Sequence, residues 1–207
     1  MMQPPIILPD ALVVLDFLGI AVFAVSGALV AAEKKQTLVT FIFFAVVTGV
    51  GGGTLRDLLI GAPVFWVHTN ATLLICIAAA FLVWFLSREH IADRALLWFD
   101  AVGLAAYATY GAAKALTYAV APVPAFAMGV MTACVGGIIR DVLAGEPSIL
   151  MRPELYVTAA ALASGIYVIA VSFGAPPTLA ALVGGLAGFA LRAAAISRGL
   201  SLPAYRG

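Results

Sequence analysis

The motif Gly-Gly-x-x-Arg-Asp occurs twice in this chain of 207 residues, at an interval of 84. The first copy reads GGTLRDLLIGAP from Gly52 and the second GGIIRDVLAGEP from Gly136. Gly51 adds a third glycine to the first copy, where the second has Val135. Without a gap, the same offset aligns Asp16 with Asp100, Gly19 with Gly103, Gly27 with Gly111 and Thr48 with Thr132. Each copy lies inside an apolar run, and a membrane-spanning helix needs about 20 such residues. Seven runs qualify, at roughly 12–32, 38–60, 69–87, 97–118, 123–144, 154–173 and 178–197. A repeat unit of three helices is odd, so the second unit must enter the membrane upside down relative to the first, as in the inverted repeats of transporters and some channels. The expected fold is an all-α membrane protein in one transmembrane domain. Repeats at roughly 12–87 and 97–173 are followed by a seventh helix at 178–197 that has no counterpart.

Composition agrees. The chain is 64% hydrophobic and 10% charged, with mean hydropathy +1.12, whereas soluble domains run near half apolar and a quarter charged. The net charge of +1 argues against a polyanionic partner such as nucleic acid. The opening MMQPPIILPD lacks the basic start of a signal peptide, and the first apolar run belongs to the repeat, so it is expected to be retained. Lysine and arginine set the orientation. Lys34, Lys35, Arg88, Arg94 and Arg152 in one set of connectors, with Arg192, Arg198 and Arg206 at the C-terminal end, make eight. Lys114 alone lies on the other side. The N-terminus is therefore expected outside and the C-terminus in the cytoplasm of a cell-membrane protein.

The remaining two basic residues, Arg56 and Arg140, sit within helices. Ionisable side chains inside a membrane segment are costly and mark function by default. The inversion places Arg56 and Asp57 toward the outer side with Asp16, and Arg140 and Asp141 toward the inner side with Asp100. Two ion pairs follow, Asp16–Arg56 and Asp100–Arg140, since an arginine in a low-dielectric site needs a partner or water. An aspartate at a helix start also serves as an N-cap, and the two roles are compatible.

Glycine in a helix interior costs about 1 kcal/mol relative to alanine, so Gly51, Gly52, Gly53, Gly136 and Gly137 need a reason. They could allow close helix packing. They could instead kink or unwind the second and fifth helices in mid-membrane, exposing backbone to a cavity. Paired broken helices are the best sequence pointer to a permeation or binding site. A nucleotide loop fits poorly, because no strand precedes the glycines and the P-loop and dinucleotide spacings are absent. A path lined by backbone carbonyls and the Thr48 and Thr132 hydroxyls, with an aspartate near each mouth, suits a small cation or polar solute. Lys114 could snorkel to the headgroups or project into the outer mouth as a movable gate. His68 and His90 fall at membrane edges. Cys76 and Cys134 lie singly in apolar spans and read as packing residues. No cluster suits a metal or cofactor, and no nucleophile–base pair points to an enzyme.

Two three-helix units, each with a GGxxRD helix followed by Gly-x-Pro, and a seventh helix make the chain resemble the prokaryotic trimeric intracellular cation (TRIC) channels. The same sequence domain, in two copies per chain, has also been labelled a glycine transporter domain. The resemblance implies a homotrimer in membrane lipid with one pore per protomer, permeable to potassium and less selectively to sodium, beside kinked second and fifth helices. In animal members a lysine on the fourth helix begins a Lys-Glu-Val motif. Here Lys114 is followed by Ala115 and Leu116, so the resemblance does not imply phosphoinositide binding or the animal type of voltage sensing. The function expected is a passive monovalent-cation channel, with a small-solute transporter, for instance of glycine, as the alternative.

Overall fold

The computed structural model describes residues 10–85 and 93–203, with the side chains of Asp93 and Arg94 left aside. Arg88, His90 and Arg206 of the charge and edge readings lie outside the described residues. Among the described residues seven α-helices are present: α1 Asp10–Glu33, α2 Leu38–Leu59, α3 Asn70–Phe85, α4 Asp93–Thr117, α5 Pro122–Leu143, α6 Val157–Ser172 and α7 Pro177–Arg198, with a short 3-10 turn at Ile149–Met151. Local chemistry sets the boundaries. The Thr37 hydroxyl accepts the Thr40 amide to start α2, and Pro122 and Pro177 occupy first-turn positions of α5 and α7. Both α2 and α5 end at a glycine with positive φ, Gly61 at +68° and Gly145 at +70°, a conformation glycine adopts at little cost.

α1, α2, α5 and α7 are long and apolar enough to cross a membrane, while α3 and α6 are shorter apolar helices. α4 is the exception to a uniform set of seven. It carries Asp100 and Lys114, and nearly every residue from Gly103 to Ala115 is buried. It is the central helix, packed against α1, α5, α6 and α7, so protein rather than lipid surrounds its charges. α3 packs on α1 and α2, α7 on α6 and α4, and the two halves meet where α1 packs on α4 and α2 on α5. Alanines such as Ala24, Ala28, Ala45, Ala112 and Ala133 fill the interior at 0–1% exposure. Lipid tails are as apolar as leucine, so close backbone approach through small residues does the work that hydrophobic burial does in water. Large apolar side chains such as Val39, Phe43, Leu58, Leu74, Phe85 and Leu186 point outward.

The glycines serve the α2–α5 crossing. A Cβ on Gly52 would fall 2.1 Å from the Thr132 carbonyl oxygen, and one on Gly136 would fall 2.4 Å from that of Thr48. The two contacts are reciprocal, each glycine facing the aligned threonine of the other half. Both helices continue as α-helix through their glycines. Of the readings set out above, unwinding does not occur and close packing does: the backbone hydrogen bonds stay in the helix and the missing Cβ makes room for a neighbouring carbonyl. Cys76 and Cys134 are buried and free, as expected of packing residues.

On the surface, Lys34 in the α1–α2 connector pairs with Glu146 in the α5–α6 connector. Lys34 holds the Glu146 carboxyl below its usual range. A depressed carboxylate stabilises the fold above its ordinary titration range, and that contribution is lost as pH falls through the folded value. Glu146→Gln is expected to move the melting temperature only slightly, and still less at about 1 M salt, because exposed pairs are screened. A large shift that persists in salt would refute this.

Candidate functional site

Two buried ion clusters sit at opposite ends of the α2–α5 crossing, one at the end of each helix. In the first, Arg56 and Asp57 are 1% and 0% exposed. The Arg56 Nε donates to Asp57 Oδ1 at 2.9 Å, and Nη2 lies 2.8 Å from the same oxygen. The Asp57 carboxylate also takes Lys114 Nζ at 2.9 Å and the Phe65 amide at 3.0 Å. The guanidinium lies 5.2 Å from the Tyr110 ring and 6.0 Å from that of Phe65, and Lys114 Nζ lies 5.6 Å from Phe65, within the range of cation–π attraction.

The second cluster repeats this frame. The Arg140 Nε donates to Asp141 Oδ1 at 3.0 Å, Nη2 donates to it at 2.8 Å, and the Ile149 amide donates to Asp141 Oδ2 at 3.1 Å. Phe65 and Ile149 are themselves aligned by the offset of 84. Each carboxylate thus binds the preceding arginine and caps the connector that follows its helix. Arg140 Nη1 then reaches Asp100 Oδ1 at 2.6 Å and also donates to the Ser26 hydroxyl, which donates to Asp100 at 3.4 Å. The Tyr156 hydroxyl neighbours Asp100.

The expected pair Asp100–Arg140 is in contact, but Asp16–Arg56 is not. Arg56 makes its ion pair with Asp57, and Asp16 lies in the neighbourhood of Tyr110, Arg56 and Lys114 without an ion pair. The repeat supplies the reason. Tyr110 aligns with Ser26. The small serine lets Asp100 close on Arg140, whereas the tyrosine ring occupies the corresponding space beside Arg56. Lys114 likewise aligns with Val30 and brings a second cation to Asp57. Its side chain does not snorkel to the headgroups: at 8% exposure it is buried in the first cluster. Arg192, counted above among the cytoplasmic charges, is also buried, at 1% exposure. It donates to Glu154 at 2.6 Å and lies 5.4 Å over the Tyr156 ring. The Arg–Asp neighbour pairing, Ser26, Tyr110, Tyr156 and Arg192 were not anticipated. The signal for two of them was present in the alignment, at the aligned pair Ser26 and Tyr110. Thr48 and Thr132 are buried at the crossing. The Thr132 hydroxyl donates to the Met128 carbonyl at 2.6 Å, and that of Thr48 has no hydrogen-bond partner. Among the described residues no group of three or more His, Cys, Asp or Glu side chains could hold a metal ion.

The sequence matches a family model described as "Glycine transporter" twice, over residues 13–88 and 97–172. A UPF0126 membrane protein from Vibrio cholerae is 39% identical over 201 residues, covering 94% of this chain and 82% of that protein. The UPF0126 inner membrane protein YadS of Escherichia coli is 37% identical over 195 residues, covering 92% and 94%. Among solved structures, the TRIC trimeric intracellular cation channel orthologue from Rhodobacter sphaeroides superposes with a TM-score of 0.86 at 44% identity, over 93% of this chain and all of that one. The chain belongs to the TRIC family. A second TRIC structure, solved in a study of conductance through TRIC cation channels, superposes with a TM-score of 0.83 at 30% identity, over 97% and 98%. In this TRIC family member the paired clusters described above stand at the ends of the two helices that hold the chain's repeated motif. It is a multi-pass membrane protein.

Proposed function

We propose that this TRIC family member is a passive channel for monovalent cations, permeable to potassium, with its path inside each protomer alongside the α2–α5 crossing. The observation that carries this reading is the end-to-end likeness, at 44% identity, to a structure named as a trimeric intracellular cation channel orthologue. The site chemistry supports it. Buried hydroxyls of Thr48 and Thr132 and small residues at Gly51, Gly52, Gly53, Gly136 and Gly137 bound the path, and each end holds carboxylates without a dense acidic ring. Such a lining attracts cations and discriminates weakly among them. Lys114, a tethered cation on Asp57, is the residue best placed to gate the outer end. The protein assembles as a homotrimer in the inner membrane, N-terminus outside by the lysine and arginine bias, and needs no cofactor beyond the permeating ions.

Purified protein in a planar bilayer under a potassium chloride gradient is expected to give single-channel currents reversing toward the potassium equilibrium potential. Currents reversing at zero, or none across repeated preparations, would refute the reading. The family model's description favours a second reading, transport of a small solute such as glycine by rocking of the two halves. Saturable, ion-driven uptake of radiolabelled glycine into liposomes would select it.

A further inference from the structure

We infer that the second cluster binds one monovalent metal cation, through Asp100 Oδ2 and the Tyr156 hydroxyl beside Gly137. Charge makes the first argument. Among the described residues, Arg140 is the one cation in ion-pair contact with Asp100 and with Asp141. Arg140, Asp100 and Asp141 are 3%, 2% and 8% exposed, so one positive charge stands against two negative ones in a buried setting. An uncancelled charge at such a depth is expensive. Arg192 does not cancel it, because its guanidinium is paired with Glu154 at 2.6 Å. The first cluster has no such deficit: Arg56 and Lys114 stand against Asp57 and the neighbouring Asp16. The second cation there is Lys114, and the position aligned with it in the other half is Val30. A metal cation would do for the second half what the lysine ammonium does for the first.

Geometry makes the second argument. Asp100 Oδ2 and the Tyr156 hydroxyl are buried and neither has a hydrogen-bond partner, which in a folded interior calls for a ligand. A Cβ on Gly137 would lie 3.0 Å from the Tyr156 hydroxyl, 3.6 Å from Arg140 Nη2 and 3.7 Å from Asp100 Oδ1. The absent side chain thus leaves a polar niche beside both orphaned atoms. At the aligned Gly53 a Cβ would instead meet the Phe65 ring at 2.7 Å, so the first half is closed there by an apolar group. A carboxylate oxygen and a phenol oxygen are ligands for a hard cation. A water would satisfy their hydrogen bonds and leave the charge uncancelled. A divalent ion would bring more charge than the cluster lacks, and such ions take several carboxylates.

The test is thermal unfolding of the full chain in detergent, with potassium chloride replacing N-methyl-D-glucamine chloride at constant ionic strength. Wild type is expected to gain about 3 °C along a saturating curve, because a ligand that binds only the folded state stabilises it by mass action. Asp100→Asn should abolish the response. Tyr156→Phe keeps the ring over Arg192 and should need about ten-fold more potassium for the same gain, having lost one oxygen to the ion. Crystals of wild type grown in rubidium chloride should show an anomalous peak between Asp100 Oδ2 and the Tyr156 hydroxyl. Equal melting temperatures in the two salts, an undiminished response in Asp100→Asn, or no anomalous peak at this place would overturn the inference. So would a gain on lowering the pH with none on adding potassium, which would put a proton on the cluster instead. The inference does not rest on conduction. A wild-type protein without cation current would sink the channel reading and leave this site standing, whereas a protein that conducts without the potassium response would do the reverse.

Discussion

Arg140→Met is expected to destabilise the protein by about 3–5 kcal/mol, because it strands two buried carboxylates whose one ion-pair partner among the described residues is removed. Asp100 and Asp141 are 2% and 8% exposed and both receive the guanidinium. Thermal unfolding in detergent, followed by tryptophan fluorescence, should show a melting temperature lower by on the order of 10 °C. Arg140→Lys should recover little. A single ammonium cannot supply the separate donors that Nε, Nη1 and Nη2 direct to Asp141, Asp100 and Ser26. The matching experiment at the other end gives the opposite result. Asp16 lies outside ion-pair contact with Arg56, so Asp16→Asn should melt close to wild type. Equal losses for Arg140→Met and Asp16→Asn would mean that the two clusters are equivalent, contrary to the geometry.

The second large effect is at the crossing. Gly52→Ala places a methyl 2.1 Å from the Thr132 carbonyl oxygen, and backbone cannot swing aside as a side chain can. Overpacking of this kind costs about 1–3 kcal/mol or more, against about 1 kcal/mol gained from alanine's better helix propensity. Separation of α2 from α5 is expected, with lower stability and altered flux. Gly136→Ala meets the Thr48 carbonyl at 2.4 Å and should behave alike. Because both variants push apart the same pair of helices, the double variant should cost less than their sum. Gly165→Ala on α6 is the control: its Cβ would meet nothing nearer than a Phe126 carbon at 3.6 Å, and it should be neutral or mildly stabilising. Similar melting temperatures for Gly52→Ala and Gly165→Ala would rule out the close-packing account.

Helix number and order were legible because each run of apolar residues is long and the breakers between them are strong. The start of α6 was less so. Residues from 154 were expected in the helix, but Glu154 is held by Arg192 and by an isolated bridge to Ser201, and α6 begins at Val157. That contact joins segments far apart in the chain, and no local pattern announces it. The buried charges were legible as unusual residues, and their depth followed from the repeat. Their partners did not follow fully. Asp100 met Arg140 as expected, whereas Arg56 turned to its own neighbour because Tyr110 fills the space that Ser26 leaves open. A lysine near the end of an apolar helix reads as a surface residue, yet α4 lies at the centre, so Lys114 meets Asp57 instead of headgroups. The glycines, open to either packing or a break, join two helices that the one-dimensional pattern cannot show crossing.

The two connectors are fastened to their carboxylates by the same bond, Phe65 to Asp57 and Ile149 to Asp141. A chain assembled from two equal, oppositely directed halves would be the same molecule when turned over, and would rectify nothing. Here the shared scaffold is main chain plus Arg-Asp, and among the residues that differ around it are Tyr110 against Ser26 and Lys114 against Val30. Those exchanges break the equivalence of the two faces, so currents of equal driving force but opposite sign should differ in size, with the direction of the easier flow set by a handful of side chains on α1 and α4.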